Sequence, residues 1–432
     1  MPDYQKYDII LFGSENCMMT YRRRNEAMKR NHKLRRSVSL LCLILILVWA
    51  AAGCSNNAGF AAPAGNTENG TEVSETPEQE QPAANEQEQA AVDDQNSDAE
   101  QAADSETADA KEISITDIGD VAIGQTENAE AGTGCTVFIS RDGMAAGLDV
   151  RGGGPASRES ELLDPLAAAS SIHAIVLSGG SAYGLGTADG VMKYLEEKDI
   201  GYDTGVARVP LVVQSDLFDL SVGDGSVRPD AEMGYEAARI AMESPNYKDG
   251  NYGAGCGATV GKIAGMDTCM KTGIGSYALQ IGDLKIGAVV AVNALGDIYD
   301  WRTGKKIAGL LTEDGKGFRD TLEYMAADTA VKDNKFTGNT TLGVVITNAS
   351  FSKSQLCKIA GMTHDGYARS IRPVHTTADG DSIYAVSVGD LQADQDLVGS
   401  LSAVVMSEAI KRAVYSADSA YGFKSAKEFE KQ

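Results

Sequence analysis

The sequence predicts an α/β domain built on a mixed sheet. Three features of residues 113–432 carry that expectation. Strand-like and helix-like runs alternate, glycines concentrate at the junctions between them, and two pairs of strands are joined by links short enough to require antiparallel pairing. A purely parallel nucleotide-binding sheet is therefore disfavoured. Two sheets, or one mixed sheet covered by helices, fit the pattern.

In chain order, TVFIS (136–140) and MAAGLDV (144–150) flank Arg-Asp-Gly and read as a hairpin. IHAIVLSG (172–179) has the unbroken apolar character of a buried strand. It leads through a glycine turn into a helix that gathers Leu185, Ala188, Val191, Met192 and Leu195 on one face. YALQI and LKIGAVVAVNAL (277–295) flank Gly-Asp, a tight-turn pair, and form a second hairpin. TTLGVVITNA (340–349) is a further buried strand, preceded by a Gly-Asn pair that an ordinary strand would not choose. A helical run over 355–371, the strand SIYAVSVG (382–389) and a closing helix that turns Leu397, Leu401, Val404 and Val405 to the core complete the domain.

The chain ahead of this domain divides into three pieces. Residues 38–53 are an apolar run behind Lys29, Arg30, Lys33, Arg35 and Arg36, the layout of an export signal. Its exit, Ala51-Ala52-Gly53-Cys54, resembles a bacterial lipoprotein box and makes Cys54 the expected lipidation site, although Ala51 stands where leucine is commoner. An uncut membrane anchor is the alternative; the apolar core is shorter than the ~20 residues a spanning helix needs. Met28 opens a signal of ordinary length (28–54), so residues 1–27 are set aside as untranslated or unstructured. Residues 55–112 carry 15 carboxylates against Lys111 and almost no large apolar side chains. Such a stretch cannot bury enough surface to offset its ordering entropy and reads as a solvated tether. These expectations put the protein outside the cytoplasm, attached to the membrane through lipid on Cys54.

Most of the formal charge of −23 sits in the tether and says nothing about a substrate. No Lys/Arg-rich stripe with interleaved aromatics appears, which argues against a nucleic-acid partner. Four cysteines, Cys135, Cys256, Cys269 and Cys357, lie in the folded part without metal-ligand spacing and read as small buried residues. His364 and His375 share HDGYARSIRPVHTTADGD with Asp365, Asp379 and Asp381, but they stand eleven apart across Pro373, which suits hydrogen-bonded structural roles better than a metal. No metal or cofactor is expected.

Two glycine-rich stretches remain. LSGGSAYGLG (177–186) sits where a nucleophile elbow or phosphate loop would occur, yet fits neither register, so Ser181 reads as a helix-start residue. GNYGAGCGATVG (250–261) places Gly253, Gly255 and Gly257 at alternate positions, which suits either close sheet packing or a substrate bed.

Taken together, RGGGP (151–155), LSGGSAYGLGTADGVMKYLEE, GNYGAGCGATVGK, VVAVNALGD, NTTLGVVITNA and HDGYARSIRPVHTTADGD occur in the order found in the L-aminopeptidase/D-esterase family, which includes β-peptidyl aminopeptidases. The resemblance runs from about Asp117 to Tyr421. It implies a four-layer αββα sandwich with site geometry similar to that of N-terminal-nucleophile hydrolases but different connectivity. It also implies a precursor that cuts itself before Ser or Thr into associated α and β fragments, here at Asn339-Thr340, and a homo-oligomer, a tetramer, of α–β units. The expected activity is aminopeptidase or amidase action on small peptides or amides. A binding protein on the same fold, with little turnover, is the rival class.

The chemistry is coherent on its own terms. A threonine hydroxyl needs a base, and the α-amino group of an N-terminal threonine, with a reference pKa near ~7.7–8.0, is such a base once the chain is cut. Thr341 is the alternative nucleophile; side chains alternate along a strand, so Thr340 and Thr341 cannot both face a site. Asn339-Thr340-Thr341 also matches a glycosylation pattern, which is incidental in a bacterial lipoprotein. By resemblance Asn293 supplies an oxyanion donor, and Thr377 and Asp379 orient the new amine, with Thr376 and Asp381 as competitors. Where some members carry a tyrosine donor this chain has Phe218, which cannot donate, so either a backbone N–H from the Gly253–Gly257 loop replaces it or Phe218 is not the position that corresponds to that tyrosine.

Overall fold

The structure is a computed structural model and describes residues 110–327 and 338–431. Cys54, the signal segment and nearly all of the tether lie outside the described residues. The first described strand, β1 (Ala110–Ile113), takes the last residues assigned to the tether: Ala110 and Ile113 are half-buried on the edge of the main sheet while Lys111 and Glu112 face out.

The main sheet has ten strands: β1, β2 (Ala122–Asn128), β3 (Thr133–Val150), β4 (Ala156–Arg158), β5 (Ile172–Ser178), β6 (Val212–Asp216), β7 (Ile274–Ile281), β8 (Leu284–Asn293), β9 (Thr340–Ala349) and β10 (Ser382–Leu391). Their order is β1-β7-β8-β9-β10-β3-β5-β6-β4, with β2 also on β3. Among the described strands of this sheet, only the β9–β10 and β5–β6 pairings are parallel.

The 18 residues of β3 correct the first expected hairpin. Residues 136–140 and 144–150 belong to one long strand, whose first half pairs with β2 and β5 and whose second half pairs with β10. The register breaks between Ile139 and Met144, and Gly143 takes a positive φ of 83° there. Arg-Asp-Gly thus bends a strand that passes from one half-sheet to the other, because each half finds partners in a different layer. The hairpin expected at Gly282–Asp283 is present, with Ile281 opposite Leu284.

Three apolar cores separate four layers. Helices α1 (Thr187–Glu197) and α2 (Ala231–Glu243) cover one half-sheet through Val137, Val176, Val191 and Ala237. Helices α3 (Lys353–Ser370) and α4 (Gln395–Ser416) cover the other through Val290, Val345, Leu356 and Met406. Between the half-sheets lie Phe138, Ile175, Val213, Val289, Leu342, Val344 and Tyr384. The result is an αββα sandwich. A hydrogen bond of 2.7 Å between the Ser215 and Tyr384 hydroxyls ties the two half-sheets together inside it. On α4 the buried stripe is Val398, Ser402, Val405, Met406 and Ala409, whereas Leu397 is half exposed, in the first turn and outside the face that packs.

This layering sets the direction of the threonines. Leu342, Val344 and Ile346 point between the half-sheets, and Val345 points under the helices. Thr340 keeps step with the first set and Thr341 with Val345.

Candidate active site

Thr340 opens β9 and is buried, at 3% exposure. Its register partner on β8 is Asn293, also fully buried and on the same inter-sheet face as Val289 and Ala291. The Thr340 hydroxyl hydrogen-bonds the carbonyl oxygen of Asn339, the residue whose peptide bond it would attack. That same oxygen accepts the Gly380 N–H at 3.0 Å.

Asn293 is held from two sides. Its Nδ2 donates to the Phe218 carbonyl oxygen (2.9 Å), and its Oδ1 accepts from the Thr259 N–H (3.1 Å) and the Lys262 ammonium (2.7 Å). Lys262 also donates to the carbonyl oxygens of Asn293 and Gly338, each at 3.0 Å. The three N–H groups of the Lys262 ammonium therefore meet three acceptors, and one of these acceptors, the Gly338 carbonyl, lies two residues before Thr340. Burial pushes the Lys262 pKa down to about 7 against the pull of neighbouring groups that include Asp379 and Asp219.

The carboxylates divide their labour. Asp379 is pushed up to about 6 by burial and by the adjacent Asp381. It accepts from the Leu295 N–H and from both the N–H and the hydroxyl of Thr376, the last at 2.5 Å. Thr377, expected in that role, is exposed and lines the mouth of the site instead. The hydroxyl on Asp379 thus belongs to Thr376, the competitor, because the turn from Thr376 to Asp379 folds its own first hydroxyl back onto the carboxylate. Asp381 accepts the Thr341 N–H at 2.8 Å and His375 Nδ1 at 2.9 Å. His364 Nε2 contacts the Asp149 carbonyl oxygen at 3.1 Å. Among the described residues no group of three or more His, Cys, Asp or Glu converges on a metal position.

The glycine loop requires a correction. Gly253, Gly255 and Gly257 are buried and do not line the recess at Thr340. The N–H of Gly253 goes to Glu127 and that of Gly255 to the Tyr252 carbonyl. A Cβ at Gly255 would stand 2.2 Å from the Ile274 nitrogen, and one at Gly257 2.1 Å from the Gly132 oxygen. Close backbone packing explains these glycines, and the substrate-bed reading and the backbone replacement drawn from this loop fall away. Phe218 does reach the site. Its ring lies on Gly338, where a Cβ would come within 1.9 Å of the ring carbons.

A recess with about 20 Å³ of free space, room for roughly one water, opens beside Thr340 and is bordered by Ala156, Ser181, Asp216, Phe218 and Thr377. A second cavity of about 220 Å³ lies beyond Phe218 and Gly338, bordered by Ser221, Val222, Thr259, Lys262 and Met266. Asp216 is 1% exposed; its Oδ1 accepts from Gln214 at 2.7 Å, while its Oδ2 has no hydrogen-bond partner. Burial raises its pKa well above the usual carboxylate range. Ser181 borders the recess at a positive φ of 55°, its N–H held by the Leu217 carbonyl. Thr341 is buried on the far side of β9.

Sequence reasoning missed Lys262, Asp216 and Gly380 as members of this site. Lys262 had a signal, as a lysine inside an otherwise apolar, glycine-rich stretch. Asp216 had none, because only the folded layers bring the end of β6 beside β9.

The model of peptidase family S58 matches residues 114–428. The chain belongs to peptidase family S58. An uncharacterized aminopeptidase of Mycobacterium leprae is 38% identical over 293 residues, covering 65% of this chain and 79% of the relative. A 6-aminohexanoate-oligomer endohydrolase of an Agromyces species is 31% identical over 312 residues, covering 69% and 84%. The same fold is found in a Burkholderia β-aminopeptidase, at a TM-score of 0.52 and 17% identity over 73% of this chain and 92% of that one. A Pyrococcus horikoshii protein matches at 0.52 and 22% identity over 73% and 91%. This S58 chain is thus a hydrolase of the aminopeptidase and amidohydrolase kind.

Proposed function

We propose that this S58 protein is a self-activating hydrolase in which Thr340 is first the agent of its own chain cleavage and then, as a new N-terminus, the nucleophile. The observation that carries the reading is the Thr340 hydroxyl seated against the Asn339 carbonyl, opposite Asn293 and beside the Lys262–Gly338 contact. In the first reaction the Thr340 oxygen bonds to the Asn339 carbonyl carbon, the carbon–nitrogen bond breaks, and the hydroxyl proton ends on the Thr340 nitrogen. Water then hydrolyses the ester, leaving a carboxylate on Asn339 and a free amine and hydroxyl on Thr340. In the mature site that amine is the base for the hydroxyl, and Asp379, braced by Thr376, holds it.

The substrate is a small peptide or amide with a free amino group. Asp216 supports this: it borders the recess beside the nucleophile, and a buried carboxyl group with one oxygen left without a partner is matched by an ammonium. Some relatives are named for hydrolysing 6-aminohexanoate oligomers, which are also amides bearing an amine. A panel of aminoacyl, β-aminoacyl and ω-aminoacyl amides, each with and without an N-acetyl cap, tests the reading. Turnover confined to the uncapped members is expected. Binding without turnover by the cleaved protein would instead favour a binding module. Export, lipid on Cys54 and assembly of α–β units into a tetramer belong to the same proposal and rest on the sequence alone.

A further inference from the structure

We propose that the backbone N–H of Gly380 is the oxyanion donor of the self-cleavage step, a role that rests on the reading of Thr340 given above. As Thr340 attacks, the electron pair of the Asn339 C=O bond moves onto its oxygen, and a donor must already be aimed at that atom. The side-chain amide expected to do this, Asn293 Nδ2, donates to the Phe218 carbonyl. The N–H that reaches the Asn339 oxygen is that of Gly380, at 3.0 Å, where residues 339 and 379 form a parallel bridge.

The donor is held rigidly. Arg151 N–H and Gly152 N–H bond the Asp381 carbonyl at 3.0 and 3.2 Å, Gly153 N–H bonds that of Thr376 at 3.1 Å, and Gly154 N–H bonds that of Asp379 at 2.8 Å. The Arg-Gly-Gly-Gly run thereby clamps the turn from both sides of Gly380. Gly152 and Gly153 are needed for the approach: a Cβ on Gly152 would stand 2.3 Å from the Asp381 nitrogen, and one on Gly153 2.7 Å from the Thr377 Cα. Gly380 itself has no room for a side chain, since a Cβ would lie 2.7 Å from the Thr340 hydroxyl oxygen. One backbone position therefore both leaves space for the nucleophile and points its N–H at the atom that gains charge. When collapse of the intermediate breaks the carbon–nitrogen bond, the charge returns to the carbonyl and the N–H is left on the ester oxygen.

The test replaces residue 380 by glycolic acid through nonsense suppression in the full chain, which exchanges the N–H for an oxygen and also weakens the Asp379 carbonyl as acceptor of the Gly154 N–H. The same exchange at Gly154 is the control, because it deletes a neighbouring backbone hydrogen bond that does not touch the scissile carbonyl. Fragment 340–432 is quantified by mass spectrometry over time, with folding checked by circular dichroism. Slowing of at least about 100-fold is expected at 380, the loss typical of one oxyanion donor, and much less at 154. Equal rates for wild type and the 380 ester, or equal slowing by both esters, would overturn the proposal. A wild-type chain that never cuts at Asn339-Thr340 would remove the reading of Thr340 itself and this inference with it. If the 380 ester does not fold, a crystal structure of uncut Thr340→Ala decides: Gly380 N within 3.3 Å of the Asn339 oxygen is expected, and a separation beyond 4 Å refutes it.

Discussion

Asn293 and Thr340 face each other directly across the β8–β9 ladder, and the ammonium of Lys262 joins the Asn293 side chain to the carbonyl of Gly338, two residues before Thr340. Lys262→Met is therefore expected to slow self-cleavage at least tenfold. It removes the only charged donor among these contacts and leaves buried carbonyls of Asn293 and Gly338 without it, at a cost of about 1–3 kcal/mol each. Asn293→Ala is expected to act in the same direction. The appearance rate of the β fragment checks both, and an unchanged rate in Lys262→Met would show the contact to be incidental.

The contact between Phe218 and Gly338 makes a different prediction. With ring carbons 1.9 Å from where a Cβ would stand, Gly338→Ala must push the ring or the chain aside and should leave most of the protein uncut. Phe218→Ala opens that space, so the double variant Gly338→Ala/Phe218→Ala should cut faster than Gly338→Ala alone. Failure of the second change to restore any cutting would place the defect in backbone conformation instead of packing.

Much of this arrangement was legible in the chain. The buried strand from Thr340 and the turn at Gly282–Asp283 follow from local pattern, and Gly-Asn ahead of two threonines marked the position at which self-cleavage is proposed. What local pattern could not supply was partnership across layers. Residues 136–140 and 144–150 look like a hairpin because a turn and a bend share the same Arg-Asp-Gly chemistry; only the distant partners, β5 and β10, decide between them. Thr376 and Thr377 are adjacent, and which hydroxyl reaches Asp379 is set by a turn whose shape depends on the clamp from Arg151 to Gly154. Asp216 and Lys262 acquire meaning only when the ends of separate strands meet.

The buried charges predict an unusual pH profile for stability. Asp379 and Asp219 titrate near 6 in the fold, above the unfolded carboxylate value, so the native state holds more protons than the unfolded one between about pH 4 and 6, and stability falls as pH rises through that window. Lys262 and Lys271 titrate near 7, far below an exposed lysine, so the native state holds fewer protons between about pH 7 and 10, and stability rises with pH there. Urea midpoints of the uncut Thr340→Ala protein should accordingly be lowest between pH 6 and 7 and higher at pH 5 and pH 8.5. A maximum at pH 6–7 would contradict the assignment of these groups.

The central claim is that Thr340 cuts the chain before itself, and intact mass spectrometry of purified wild-type protein beside Thr340→Ala tests it most directly. The wild type is predicted to resolve into two fragments, the smaller running from Thr340 to Gln432 and beginning TTLGVV, while Thr340→Ala remains a single chain. A folded wild-type protein that stays intact after long incubation, or a Thr340→Ala protein cut at the same bond, would contradict it.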